Sequence, residues 1–170
     1  LLVSAVIALA WYVFNVGAIS TPKLKEYWLN ADSKLDARYF LFNWLFKTFC
    51  ILPVLLSAKT VALWTLNGLN SIAEPLFLSW YYRDIVLAYT FSLFLFGDAS
   101  RYWLHRWMHT NPWLWKFHQV HHSPESLNPL TFYRLHPVEI TLFALRNAMV
   151  AGVVTGIFIF CFGAERVVSC

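Results

Sequence analysis

Residues 138–163 read VEITLFALRNAMVAGVVTGIFIFCFG, a run whose only charges are Glu139 and Arg146. A bilayer core is crossed by roughly 20 mostly apolar residues of helix, so this run is long enough to span one. Three more runs lie upstream. Residues 1–19 (LLVSAVIALAWYVFNVGAI) carry no charge, and residues 39–58 (YFLFNWLFKTFCILPVLLSA) carry only Lys47. Residues 85–97 (IVLAYTFSLFLFG) are short for a span, but Tyr81, Tyr82 and Trp103 beside them suit a membrane–water interface, which extends the segment to about 84–104.

The expected fold is therefore an all-α integral membrane protein with about four transmembrane helices, near 1–19, 39–58, 84–104 and 138–163. Composition agrees. Of the 170 residues 59% are hydrophobic and only 13% charged, where a soluble domain carries about 25% charged residues. The same figures exclude intrinsic disorder. The chain opens on Leu1 inside an apolar run, without Met or a basic leader, so it reads as a segment of a longer membrane protein.

The net charge of +4 matters less than its placement. Lys23, Lys25, Lys34 and Arg38 fall between the first two runs, and Arg101, Arg106, Lys116 and Arg134 fall within 98–137. The positive-inside rule puts both stretches on the cytoplasmic side, an arrangement that two crossings between them permit. Basic residues flanking apolar runs are membrane anchors, which removes a nucleic-acid reading. Cys50, Cys161 and Cys170 show no CxxC pattern and read as small hydrophobes.

All six histidines lie between 105 and 136, in the one long stretch polar enough to leave the bilayer. His105-Arg-Trp-Met-His109 is HxxxH, and His118-Gln-Val-His121-His122 is HxxHH. On a helix, residues three and four apart share a face, so each motif can aim its imidazoles one way. Thr110-Asn111-Pro112 between them is a helix stop and restart. The pattern predicts a cytoplasmic-side helical hairpin on which five imidazoles converge. Neutral imidazole is a ligand for zinc, copper, iron and nickel. One tetrahedral metal needs four ligands, whereas two irons of five or six positions each need about ten, less waters and shared groups. The site thus holds one metal, or more histidines lie beyond Cys170.

Asp98 lies two helical turns before His105, at the end of an apolar run where a carboxylate needs a partner. It reads either as an acceptor that orients a ligand histidine or as a metal ligand, against simple pairing with Arg101. Arg146 reads as a snorkelling interfacial cation, and the Trp residues at 103, 107, 113 and 115 as an interfacial belt or a lipid tunnel. Two other classes compete with a metal enzyme. A haem-binding electron carrier explains a pair of histidines but leaves the HxxHH triplet unused. A zinc-handling transporter would place histidines and acids inside the spans, which here hold no histidine.

The segments 98–109 (DASRYWLHRWMH), 114–123 (LWKFHQVHHS) and 134–139 (RLHPVE) resemble the fatty acid hydroxylase superfamily, also called the sterol desaturase family. The likeness is close over about 90–140, and the compound pattern of two His boxes nine residues apart after an apolar span is specific. It implies that the chain is part of one membrane-embedded hydroxylase domain, in the bacterial inner membrane or the endoplasmic reticulum. That domain would hold two iron ions on the cytoplasmic side and use O2 to hydroxylate or desaturate a sterol, fatty acyl chain or carotenoid. Electrons would come from NAD(P)H through a separate reductase, cytochrome b5 or ferredoxin, with Arg106 and Lys116 as a docking patch or as plain positive-inside residues. His105, His109, His118, His121 and His122 match the metal ligands of the family's first two boxes. The third box is expected beyond residue 170, and without it the segment would be inactive. His136 fits a helix start or an outer contact better than a ligand role, and Glu125 and Asn128 are loop residues near the site.

Overall fold

The structure is a computed structural model that describes residues 28–51 and 57–168. It is all-helical, with no strand among the described residues. Helix α1 spans Ala31–Phe46 and runs on through a π turn, Lys47–Ile51; α2 spans Ala58–Asn70 and α3 Tyr82–Thr110. A short α4, Pro112–His118, precedes a loop with one 3-10 turn, Thr131–Tyr133; α5 is Pro137–Phe162 and α6 Ala164–Val168.

Local chemistry sets most of these boundaries. Asn30 caps α1 by accepting the Ser33 N–H at 2.7 Å, and Ser57 caps α2 by accepting the Thr60 N–H at 3.1 Å. Asn111 accepts from Trp113 and Leu114 at 2.9 and 3.2 Å, while Pro112 begins α4 with φ already helical. His136 and Pro137 start α5 in the same way. Its far end is Gly163 at φ 87°, a conformation that side chains with a Cβ seldom adopt.

Helix α5 is the hub, packed against α2 on one side and α3 on the other. Close approach to α2 depends on two glycines. A methyl group on Gly152 would lie 2.7 Å from the Ala58 carbonyl oxygen, and one on Gly156 would lie 2.7 Å from that of Ala62. Tyr89 on α3 and Thr155 on α5 share a hydrogen bond of 2.9 Å between the helices. Ile85, Phe162 and Val167 form a small core where α3, α5 and α6 meet.

Among the described residues one helix, Pro137–Phe162, is long and apolar enough to cross a membrane, where the sequence led us to expect about four. The first expected span, 1–19, lies outside the described residues. The second, 39–58, starts earlier than its apolar run. Helix α1 begins at Ala31 behind the Asn30 cap, and its first two turns carry Asp32, Ser33 and Asp36, whose side chains make polar bonds described below. Residues 52–56 lie outside the described residues, and at Ser57 a new capped helix, α2, begins. The third expected span is a stretch of α3, a 29-residue helix that carries Asp98, Arg101 and Arg106 onward to the first His box.

Candidate metal centre

The last two turns of α3 present His105 and His109 one turn apart. After the Asn111–Pro112 reversal, α4 runs back with His118 as its final residue. The chain then leaves the α-helix, contrary to the helical reading of HxxHH. It continues in turns closed by His121 N–H to the His118 carbonyl at 2.9 Å and His122 N–H to the Gln119 carbonyl at 3.1 Å. His122 nonetheless brings its Nε2 to 3.2 Å from that of His118.

Four imidazoles converge. The Nε2 atoms of His105 and His109, of His109 and His118, and of His118 and His122 are each 3.2 Å apart. One ligand nitrogen from each of the four falls within 4.8 Å of all the others. The rings meet edge to face, with centroids 4.7 to 4.9 Å apart, and Trp115 lies against His109 and His122 at 5.4 and 5.7 Å. His118 is fully buried while the other three are exposed. Its Nδ1 is 3.0 Å from Oε1 of Glu139, in the first turn of α5.

The remaining sequence candidates are placed differently. The His121 ring lies 5.7 Å from that of His118 at an interplanar angle of 29°, outside the group of four, with its Nδ1 buried and unpartnered. His136 spends its Nδ1 on the Val138 N–H at 3.1 Å, capping α5, and its ring lies 4.8 Å from that of Phe117. Asp98 is exposed, and among the described residues it bonds neither to a histidine nor to Arg101. The carboxylate that reaches the cluster is Glu139 instead. Arg146 does not snorkel: it donates to the Gly97 carbonyl at 2.6 Å and to Ser100 Oγ at 2.9 Å, tying α5 to α3. Lys116 lies 4.7 Å from the Trp113 ring, and Arg106 donates to the Tyr102 hydroxyl at 3.1 Å.

Behind the second box a buried polar clamp joins α1 to the 123–135 loop, a feature that the sequence reading missed. Asp36 accepts from Asn128 Nδ2 and Thr131 Oγ1, each at 2.7 Å, and from Arg134 Nε. Arg134 also donates to the carboxylate and the carbonyl of Asp32, both at 3.0 Å, and to Ser123 Oγ, beside His122, at 3.4 Å. Burial opposes the charge of Arg134, but its bonds to Asp36 and Asp32 outweigh it and hold the guanidinium above its ordinary value. The N–H of Ser126 and the Arg134 guanidinium hold Asp32 below the carboxylate range. Asn43 completes the join by donating to the carbonyls of Tyr133 and Leu135 at 2.8 and 3.0 Å.

Burial and mutual proximity favour the neutral form, which ligates metals, in three of the four imidazoles. Burial, then the proximity of the other rings, lowers His105 and His122 and pushes His118 from 6.5 down to about 4. The sign of the pH effect follows. Below about 6.5 an unfolded chain protonates its histidines, while folded His118 stays neutral until about 4, so the unfolded state binds more protons in that window. The contribution of His118 to stability therefore falls as pH is lowered from 6.5 to about 4.

Comparison with known proteins supplies the frame for this site. Residues 90–168 match the fatty acid hydroxylase family. The match begins in α3, takes in both His boxes and the clamp loop, and ends with α6. The resemblance seen in the sequence is therefore supported over the part of the chain that builds the cluster. No curated protein and no solved structure matches the chain.

Proposed function

We propose that the protein is a membrane-bound enzyme in which iron held by the histidine cluster oxidises a lipid with O2. The carrying observation is the convergence of ligand nitrogens from His105, His109, His118 and His122 within 4.8 Å. The residues suit a metal. Nitrogen atoms 3.2 Å apart cannot all carry protons, and a shared cation gives their lone pairs one partner. The buried, unpartnered Nδ1 of His121 is a further free donor beside the cluster.

The four converging residues would hold one iron, and a di-iron centre would recruit His121 together with further ligands, a third His box among them. Iron bound there would supply the O2 activation and C–H oxidation that no side chain performs. The chain's own residues position it. Exposed His105, His109 and His122 offer the site to incoming reactants, while buried His118 anchors it to α5. Trp115 covers one edge and limits water there. In the most apolar part of α5 only 22% of residues are buried, whereas a core helix of a soluble protein is mostly covered, so the lipid bilayer is the natural partner of its outer face. The cluster then sits at the membrane edge, on the cytoplasmic side by the positive-inside rule. A lipid chain could reach it there from the bilayer and a protein electron donor, such as a cytochrome b5 or ferredoxin, from water.

The test is incubation of membranes containing the full-length protein, third His box included, with isotope-labelled O2 and a reductant, followed by mass spectrometry of the lipids. The expected result is a lipid carrying labelled oxygen, or one that has lost a pair of hydrogens, absent with His105→Ala. Lipids identical in the two samples would overturn the reading. A strong Soret band in the purified protein would favour a haem carrier instead, and zinc moving across vesicles a transporter. Bound zinc alone would not, because zinc displaces iron(II) at nitrogen ligands.

A further inference from the structure

Glutamate at the third position of a helix ordinarily reaches back to the cap residue and satisfies its N–H. Glu139 holds that position in α5, behind the cap His136, but is spent elsewhere. Its Oε1 lies against Nδ1 of His118, 21 residues earlier in the chain, and its Oε2 is buried without a partner. Both side chains are out of solvent, at 3% and 0% exposure, so the contact is formed at the expense of hydration on both sides. His118 in turn places its Nε2 3.2 Å from those of both His109 and His122, and it is the one buried member of the cluster.

We propose that Glu139 is a positioning residue of the metal centre: its carboxylate holds His118 as the Nδ1–H tautomer, so that the Nε2 lone pair faces His109 and His122. The role rests on the metal-site reading given above. A carboxylate only accepts, so a hydrogen bond to it places the imidazole proton on Nδ1 and leaves Nε2 free. A glutamate so placed also ties the start of an apolar helix to the cluster, and fixes the ring plane of the only ligand sealed from water. A purely structural His–Glu pair joining α4 to α5 would make the same contact but leave metal affinity alone.

Titration of the full chain in detergent with Co2+, followed by its visible absorption, separates the two. Outer partners of ligand histidines typically contribute about 10–100-fold to metal affinity. Glu139→Leu should weaken Co2+ binding toward the ~100-fold end and change the band shape, and Glu139→Gln, a weaker acceptor of similar reach, toward the ~10-fold end. The metal-free melting temperature is measured beside each. Tyr89→Phe, which removes the hydrogen bond to Thr155, should lower that temperature while leaving Co2+ affinity and spectrum as in wild type. Wild-type affinity and spectrum in Glu139→Leu, or in Glu139→Gln if the leucine variant does not fold, would overturn the role even where wild-type protein binds Co2+ and His122→Ala does not. Absence of Co2+ binding in the wild type would remove the metal reading and this role together.

Discussion

Replacing His122 by alanine should abolish metal loading and turnover while leaving the metal-free protein about as stable as before. The contrast follows from where the residue sits. His122 is exposed, so its loss opens no cavity, yet its Nε2 lies 3.2 Å from that of buried His118. Loss of a partner one shell removed costs about 10–100-fold in affinity, and loss of a ligand should exceed that, with a drop of more than ~100-fold. His136→Ala should behave in the opposite way. That histidine caps α5 through its Nδ1, and loss of a cap costs ~1 kcal/mol of stability, with metal affinity close to wild type. Equilibrium dialysis against Fe(II) under anaerobic conditions, paired with thermal unfolding of the metal-free variants, reads both. A reversed pattern, with His136→Ala losing metal and His122→Ala keeping it, would show that the ligand set has been misassigned.

Asp36→Ala should be the most destabilising single change outside the cluster. Asp36 is 0% exposed and Arg134 2%, so the variant leaves a buried guanidinium short of its partner and takes the acceptor from Asn128 and Thr131. Breaking a buried pair from one side costs about 3–5 kcal/mol, much of it the stranded charge. The double variant Asp36→Leu with Arg134→Met removes both charges and should lose clearly less than the sum of its single changes. Thermal unfolding of the three variants in one detergent gives the comparison. Additive losses would mean that the pair carries no mutual energy. Because the clamp closes over Ser123, next to His122, Asp36→Ala should also loosen the second box, seen as faster amide exchange across residues 119–126.

The contrast between the cluster and the clamp explains what the sequence discloses. His105 and His109 are one helical turn apart, and the Asn111–Pro112 punctuation dictates a reversal, so the hairpin and its convergence are legible from local spacing alone. The second box leaves the α-helix after His118, yet His118 and His122 still meet with their Nε2 atoms 3.2 Å apart. The clamp is the opposite case. Asp36 and Arg134 are 98 residues apart, and nothing local in either segment points to the other. The same blindness led attention to Asp98, which lies on the His105 stripe by helical arithmetic but is exposed. Glu139 had a readable signal, an acid in the first turn of an apolar run, yet its partner is defined only by the packing of α4 on α5. Of the expected spans, one is carried by a helix long and apolar enough among the described residues, while 1–19 and part of 39–58 lie outside them.

The central claim is that these imidazoles hold iron, and the most direct test is metal analysis with Mössbauer spectroscopy of the full chain, enriched with iron-57 and purified anaerobically. The account predicts stoichiometric iron, lost in His105→Ala and His122→Ala. A protein that oxidises lipid with no iron bound, or whose iron signal is unchanged in both variants, would contradict it.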